Sequence, residues 1–157
     1  MSSIIKVDQI QNVAGGTPTA GDLGLNVSGS VLQVANVVKT DTQDVSSGTW
    51  TDISGLSASI TPKSTSSKFI LCPSVTLCVD YFSAGIRLVR DGSVITEALA
   101  ANSGSRTAAT ISHNAYASNT GSTNQYQYQM HTLSGAFQDT APASNITSPI
   151  TFKIQSW

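Results

Sequence analysis

The sequence has little charge and few aromatic residues. Of its 157 residues, 11% are charged and 6% are aromatic, and residues 107–138 contain no Asp, Glu, Lys or Arg. The formal net charge is −1, and the eight Lys and Arg residues form no cluster. Because phosphate binding needs clustered basic side chains, we expect neither nucleic-acid binding nor a basic membrane-surface helix.

Motifs of common enzymes and cofactor sites are also missing. The sequence has no nucleophile elbow of the Gly-x-Ser-x-Gly type and no Gly-rich phosphate loop followed by Lys and Ser or Thr. Its two histidines, His113 and His131, do not have the spacing of metal ligands. We therefore predict a protein that is not an enzyme and that has no catalytic residues, no cofactor and no metal site.

Cysteine is scarce, and long apolar runs are absent. In a single strand, Cys72 and Cys78 would lie roughly 20 Å apart, which is beyond the reach of a disulfide. They are predicted to be free, buried thiols. No apolar run approaches the length of a transmembrane helix, and the first residues lack the pattern of a secretory signal, so we expect no membrane partner.

Hydroxyl side chains are abundant instead. Ser and Thr together number 42. Such side chains tolerate extended backbone and turns, and low charge removes the long-range repulsion that keeps monomers apart. This composition favours a self-assembling or docked protein over a free monomer.

Strand and turn patterns predict an all-β domain over residues 30–157. Asp91-Gly92 between two apolar runs predicts a tight hairpin, and Ser54-Gly55 predicts a bulge or turn within a strand. Pro73 predicts a bulge, a strand start or an edge in the most apolar segment, residues 68–82, which is expected to be the central strand or strand pair. A Val-rich run at residues 30–39 predicts the first strand or two short strands. About eight strands at this spacing are typical of a β-sandwich or jelly roll.

The two arginines of the predicted hairpin lie on opposite faces of their strand. Because the chain has so few charges, Arg87 and Arg90 are expected to be paired. Asp80, Asp91 and Glu97 are the predicted partners.

An apolar segment at the N-terminus has no partner strand at hairpin distance. Residues 1–29 are rich in Gly and turn formers, which separates them from the β-domain. We interpret them as a docking arm whose strand pairs with another chain. The residues expected to anchor it are Ile4, Ile5, Val7 and Ile10.

Tyrosine and glutamine alternate strictly near residue 127. Tyr126 and Tyr128 would lie on one face of a strand and Gln127 on the other. Tyr and Gln suit sugar hydroxyls, so this strand is a candidate glycan-binding surface. The alternative is that the Tyr face packs inward while the Gln face lines a subunit contact.

Residues 29–71, "GSVLQVANVVKTDTQDVSSGTWTDISGLSASITPKSTSSKFIL", resemble a module of structural and fibre proteins of tailed bacteriophages, especially those of cyanobacteria. "IRLVRDGSVI" (residues 86–95) and "SPITFKIQ" (residues 148–155) match later elements of that module. "IIKVDQIQNVAGGTPTAGDLG" (residues 4–24) is similar to N-terminal segments of such virion proteins.

The resemblance implies a β-jelly roll like that of trimeric C1q and tumour-necrosis-factor heads. It implies a homotrimer on the virion surface, assembled in the host cytoplasm and bound to a major capsid protein or to a tail or adaptor protein. The sequence lacks the heptads or repeats of a fibre shaft, which favours a capsid decoration or cement protein. The alternative is a short tail or head fibre that binds a receptor or glycan.

The module normally has two more strands after the one that matches residues 148–155. The last strand here is therefore expected to leave an unpaired edge, which another chain would cover.

Overall fold

The computed structural model describes residues 11, 15–17, 31–46, 48–79, 82–101, 104, 107–115, 129–140 and 147–157. Contacts divide the chain into two compact units, Met1–Val34 and Ala35–Trp157. The strands described lie in the second unit: β1 (Thr51–Ile60), β2 (Phe69–Leu71), β3 (Ser74–Val79), β4 (Phe82–Arg90), β5 (Ser93–Val94), β6 (Ile111–Ala115), β7 (Gln129–Ser134), β8 (Phe137–Asp139) and β9 (Ile150–Ser156).

The largest sheet contains five antiparallel strands. Strand β9 lies between β1 and β4, while β5 and β6 both pair with the other side of β4. Alternation of apolar and polar residues in β9 suits a strand with one face on the core. Because β9 is paired on both sides, the unpaired edge that we expected on the last strand is not found in the described part of the chain.

A smaller layer consists of two ladders. Strand β2 pairs with β8, and β3 pairs with β7, all antiparallel. Pro73 separates β2 from β3 and accepts a hydrogen bond from the Gly135 amide. The prediction that Pro73 interrupts its strand is confirmed, but residues 68–79 form short strands of the smaller layer, not a central strand.

Two apolar clusters join the layers. In one, Phe69 of β2 packs with Leu88 of β4 and Phe152 of β9; in the other, Val75 of β3 packs with Ile86 of β4. The Phe69 and Phe152 rings lie 5.2 Å apart between centroids. These antiparallel sheets confirm the predicted all-β class. The only helix among the described residues is the 3-10 turn Thr96–Ala98, and no described helix is long and apolar enough to span a membrane.

Two local predictions are confirmed. Asp91 and Gly92 both adopt positive φ, at 47° and 82°, between the paired residues Arg90 and Ser93, as a type I′ hairpin turn requires. The β1–β9 register shifts between Asp52 and Ser57, and Gly55 within that interval has φ 86°.

The predicted first strand at residues 30–39 is wrong for the residues described there. Residues 31–39 form no strand, and the side chains of Val31, Val34 and Val38 are exposed, at 77%, 83% and 72%. A Val-rich composition fits a strand only where a neighbouring ladder accepts its backbone bonds, and none of the described strands pairs with residues 31–39.

Candidate functional site

The residues predicted to act in docking and glycan binding lie outside the described part of the chain. This applies to the arm residues and to the Tyr/Gln strand: Ile4, Ile5, Val7, Ile10, Tyr126, Gln127 and Tyr128. Their predicted roles stay predictions. The arm at residues 1–29 and the domain at residues 30–157 likewise remain predicted boundaries.

Arg87 and two tryptophans form a cluster on the outer face of the five-stranded sheet. Ile53 and Ile86 point into the core, so the side chains of their neighbours Asp52 and Arg87 point away from it. The Arg87 guanidinium carbon lies 4.6 Å from the Trp50 ring centroid. Trp157 follows β9, and its ring lies 6.4 Å from that of Trp50, tilted by 38°. All three side chains of this Trp50–Arg87–Trp157 cluster are half-buried.

A row of hydrogen bonds runs beside the cluster across three strands. Register places Asp52 of β1, Gln155 of β9 and Arg87 of β4 next to one another. Arg87 Nε donates to Gln155 Oε1 at 2.7 Å, and Gln155 Nε2 donates to Asp52 Oδ1 at 2.6 Å. Lys153 Nζ donates to Asp52 Oδ2 at 2.9 Å. Both carboxylate oxygens of Asp52 therefore have donors, and neither contacts Arg87 directly.

The charges of this row are unequal. Hydrogen bonds from Lys153 and then Gln155 lower the pKa of Asp52 below its ordinary value. Burial lowers the pKa of Arg87, which Asp52 partly offsets, yet a guanidinium remains protonated at neutral pH. Among the described residues of this row, the two cations Lys153 and Arg87 thus lie beside a single anion, Asp52.

Backbone bonds fix Trp157 beside Arg87. Its amide donates to the Gly85 carbonyl at 3.1 Å, and the Gly85 amide donates to its carbonyl at 3.2 Å. Gly85 lies two residues before Arg87, on the same face of β4. Trp50 lies two residues before Asp52, and it meets Trp157 only because β1 pairs with β9.

The other arginine of β4 points into the core. Arg90 Nη1 lies 2.9 Å from Asp139 Oδ2 of β8, and its guanidinium carbon lies 5.8 Å from the Phe69 ring centroid. The opposite faces predicted for Arg87 and Arg90 are confirmed. The contacts described for these arginines are with Gln155 and Asp139, which strand pairing brings close, and the predicted partner Asp80 lies outside the described residues.

His113 and His131 stack on each other. Their ring centroids are 3.5 Å apart with an angle of 23° between planes. His113 lies on β6 opposite Ala84, and His131 lies on β7 opposite Leu77, so the pair connects the two layers. Burial, and then the charge of His131, lowers the pKa of His113. The two rings contact each other through their faces and not through their nitrogen atoms. No group of three potential metal ligands occurs among the described residues.

Both cysteines are free, as predicted, but both are exposed and not buried. Cys78 faces Met130 across β3 and β7, and Met130 is 72% exposed. For Cys78, the cause is the alternation of β3, in which Val75 takes the core face and Cys78 the outer face.

Comparison of the chain with protein-family models, curated proteins and solved structures finds no match. Functional assignment therefore depends on the residues and contacts of this chain and on the motif resemblance described above.

Proposed function

We propose that this protein is a non-enzymatic structural protein on the surface of a tailed-phage virion. In this proposal residues 1–29 dock on a major capsid protein or on a tail or adaptor protein, and a jelly-roll domain self-associates, as a trimer by the motif resemblance. Capsid decoration or cementing is the favoured role.

The observation that carries the proposal is the exposed apolar segment at residues 31–38. Its large aliphatic side chains are Val31, Leu32, Val34, Val37 and Val38, all exposed. An apolar side chain is stabilised by about 1.5–3 kcal/mol when it is fully buried. Several such side chains close together in sequence favour a contact with another chain over exposure to water.

Burial of the apolar side chains of the arm would further stabilise the contact with another chain. Ile4, Ile5, Val7 and Ile10 gain on burial, while ordering the arm costs about 1–2 kcal/mol per residue. Backbone pairing with the partner must therefore contribute as well. Symmetric repetition in a trimer raises the effective concentration of each further arm once the first has bound.

The docking role is tested by deleting residues 1–16. We expect a folded domain that no longer joins the particle, measured by circular dichroism and by the protein content of purified virions. Normal incorporation of the shortened protein would exclude the arm as the anchor. Hundreds of copies per particle would support capsid decoration, whereas a few tens would support a tail appendage.

Self-association is tested in the full chain with Val34→Ser and Val38→Ser combined. The matched control is Ile70→Ser, since Ile70 is 71% exposed on β2, outside this segment. We expect the double variant to shift towards monomer in sedimentation velocity while the control does not. An unchanged oligomer in the double variant would exclude this segment as the contact.

The alternation of Tyr126, Gln127 and Tyr128 supports a second role as a short fibre that binds a receptor or glycan. Loss of glycan binding in Tyr128→Ala on an array would support it, and no binding of the natural protein to any host polysaccharide would remove it.

A further inference from the structure

We propose that the Trp50–Arg87–Trp157 cluster binds a carboxylate-bearing saccharide. This inference goes beyond the assembly role and does not rest on it. It concerns described residues of the β-domain and not the Tyr/Gln strand.

Arg87 has N–H donors that the contacts of the cluster do not use. Its Nε is engaged by Gln155, and its guanidinium lies over Trp50, but its two Nη groups have no acceptor in the described structure. A guanidinium presents its N–H groups in a planar fork that matches the two oxygens of a carboxylate. The cluster therefore offers an incomplete bidentate site.

Charge selects the kind of anion. Asp52 is held by Lys153 and Gln155, so within the described part of the chain the row carries one more positive than negative charge. A carboxylate carries one negative charge, whereas a phosphate monoester carries about 1.5 to 2. A single carboxylate therefore balances the site without further cations.

The two tryptophans indicate what kind of molecule carries the carboxylate. The Trp50 ring lies against the guanidinium and the Trp157 ring lies against that of Trp50, and aromatic side chains suit apolar surfaces such as the C–H face of a pyranose ring. Lys153 and Gln155 add polar groups at the rim that suit sugar hydroxyls. A uronic-acid type of sugar meets all three conditions.

The test uses tryptophan fluorescence of the full-length protein. Trp50 and Trp157 are the only tryptophans in the chain, so their emission reports on this cluster alone. The probes are a galacturonate oligosaccharide and a neutral galactose oligosaccharide of equal length. We expect a saturable change with the acidic probe, weaker at high salt, and roughly 10-fold or more weaker binding of the neutral one.

Variants separate the guanidinium from charge in general. Arg87→Gln should weaken binding of the acidic probe roughly 10- to 100-fold, since it removes hydrogen bonds to a charged group. Arg87→Lys keeps the charge but loses the fork, so it should bind with intermediate affinity; it also decides the question if Arg87→Gln does not fold. Lys63→Gln removes one positive charge from an exposed loop and should bind normally.

Four results would overturn the proposal. The first three are equal binding of the two probes, unchanged binding in the Arg87 variants, and no change in emission with the acidic probe. The fourth is that the natural protein binds no saccharide while Arg87→Lys changes the oligomeric state. The last would identify the cluster as a subunit contact. The residues 1–16 deletion tests the assembly role separately, so failure of either proposal is recognised independently.

Discussion

Arg90 Nη1 and Asp139 Oδ2 lie 2.9 Å apart and connect the two layers of the β-domain. Arg90 ends β4 of the five-stranded sheet, and Asp139 ends β8 of the smaller layer. The side chain of Asp139 is only 3% exposed and that of Arg90 is 14% exposed. A carboxylate so far from water needs its cation, because burial of an unpaired charge is unfavourable.

We predict that Asp139→Asn lowers the free energy of unfolding by about 3 kcal/mol or more, because it replaces the buried carboxylate that contacts Arg90 by a neutral amide. Urea unfolding measures this. Asp44→Asn, at an exposed carboxylate, is the control and should change stability by no more than about 0.5 kcal/mol. The double variant Arg90→Met with Asp139→Leu should recover part of the loss, and a small effect of Asp139→Asn would show that the pair is not important for stability.

Local turn chemistry was predictable from the sequence, and contacts distant in sequence were not. Asp91-Gly92 and Gly55 identify their turn and bulge because positive φ restricts the residue type. The pairs Arg90–Asp139 and His113–His131 arise from strand pairing and from packing between layers, for which the sequence carries no spacing signal. The candidate cluster was missed for the same reason.

Composition alone misplaced the first strand. Residues 31–39 are rich in Val, and β propensity depends on a half-buried, paired position. Val34 and Val38 have no such position, and they are exposed. The same propensity succeeds in β9, where Ile150 and Phe152 reach the core and both neighbouring strands supply ladders.

The stacked histidines predict acid sensitivity. The pKa of His113 is lowered in the folded state, so the unfolded chain binds the proton more readily. Stability is therefore greatest above the unfolded pKa of about 6.5 and decreases as the pH falls below it. We expect the free energy of unfolding to fall between roughly pH 7 and pH 5.

His113→Gln should flatten this dependence, measured by urea unfolding at several pH values. Ser112→Ala changes the exposed neighbour on the other face of β6 and should keep the natural slope. The lowered pKa of Asp52 acts in a different window: its contribution is lost only as the pH falls below its unfolded value of about 3.9. If the unfolding free energy of His113→Gln depends on pH as steeply as that of the natural protein, other groups cause the acid sensitivity.

The hairpin turn predicts a conformational penalty at Gly92. Its φ is 82°, and no atom lies within 4 Å of a built Cβ, so the effect of a side chain is backbone strain and not a clash. We expect Gly92→Ala to lower stability by about 1–2 kcal/mol. Gly92→Asn should lose less, because Asn tolerates this region. Equal losses in thermal unfolding of the two variants would contradict the strain explanation.

The side chain of Gln43 bonds to the backbone of β1 as a neighbouring strand would. Its Oε1 accepts from the Ser54 amide at 2.7 Å, and its Nε2 donates to the Asp52 carbonyl at 3.0 Å. These bonds lie beside the bulge, where the β1–β9 register shifts. Gln43 therefore supports the strand that carries Asp52 towards the Trp50–Arg87–Trp157 cluster.

Gln43→Ala removes both bonds and should lower stability by about 1–2 kcal/mol. Gln43→Glu keeps the acceptor for the Ser54 amide but loses the donor to the Asp52 carbonyl. Hydrogen exchange of the Ser54 amide should therefore become faster in Gln43→Ala and stay slower in Gln43→Glu. Thr42→Ala, at the exposed neighbouring position, is the control and should leave that exchange unchanged. If the Ser54 amide exchanges in Gln43→Ala at the rate of the natural protein, the Gln43 side chain does not protect β1.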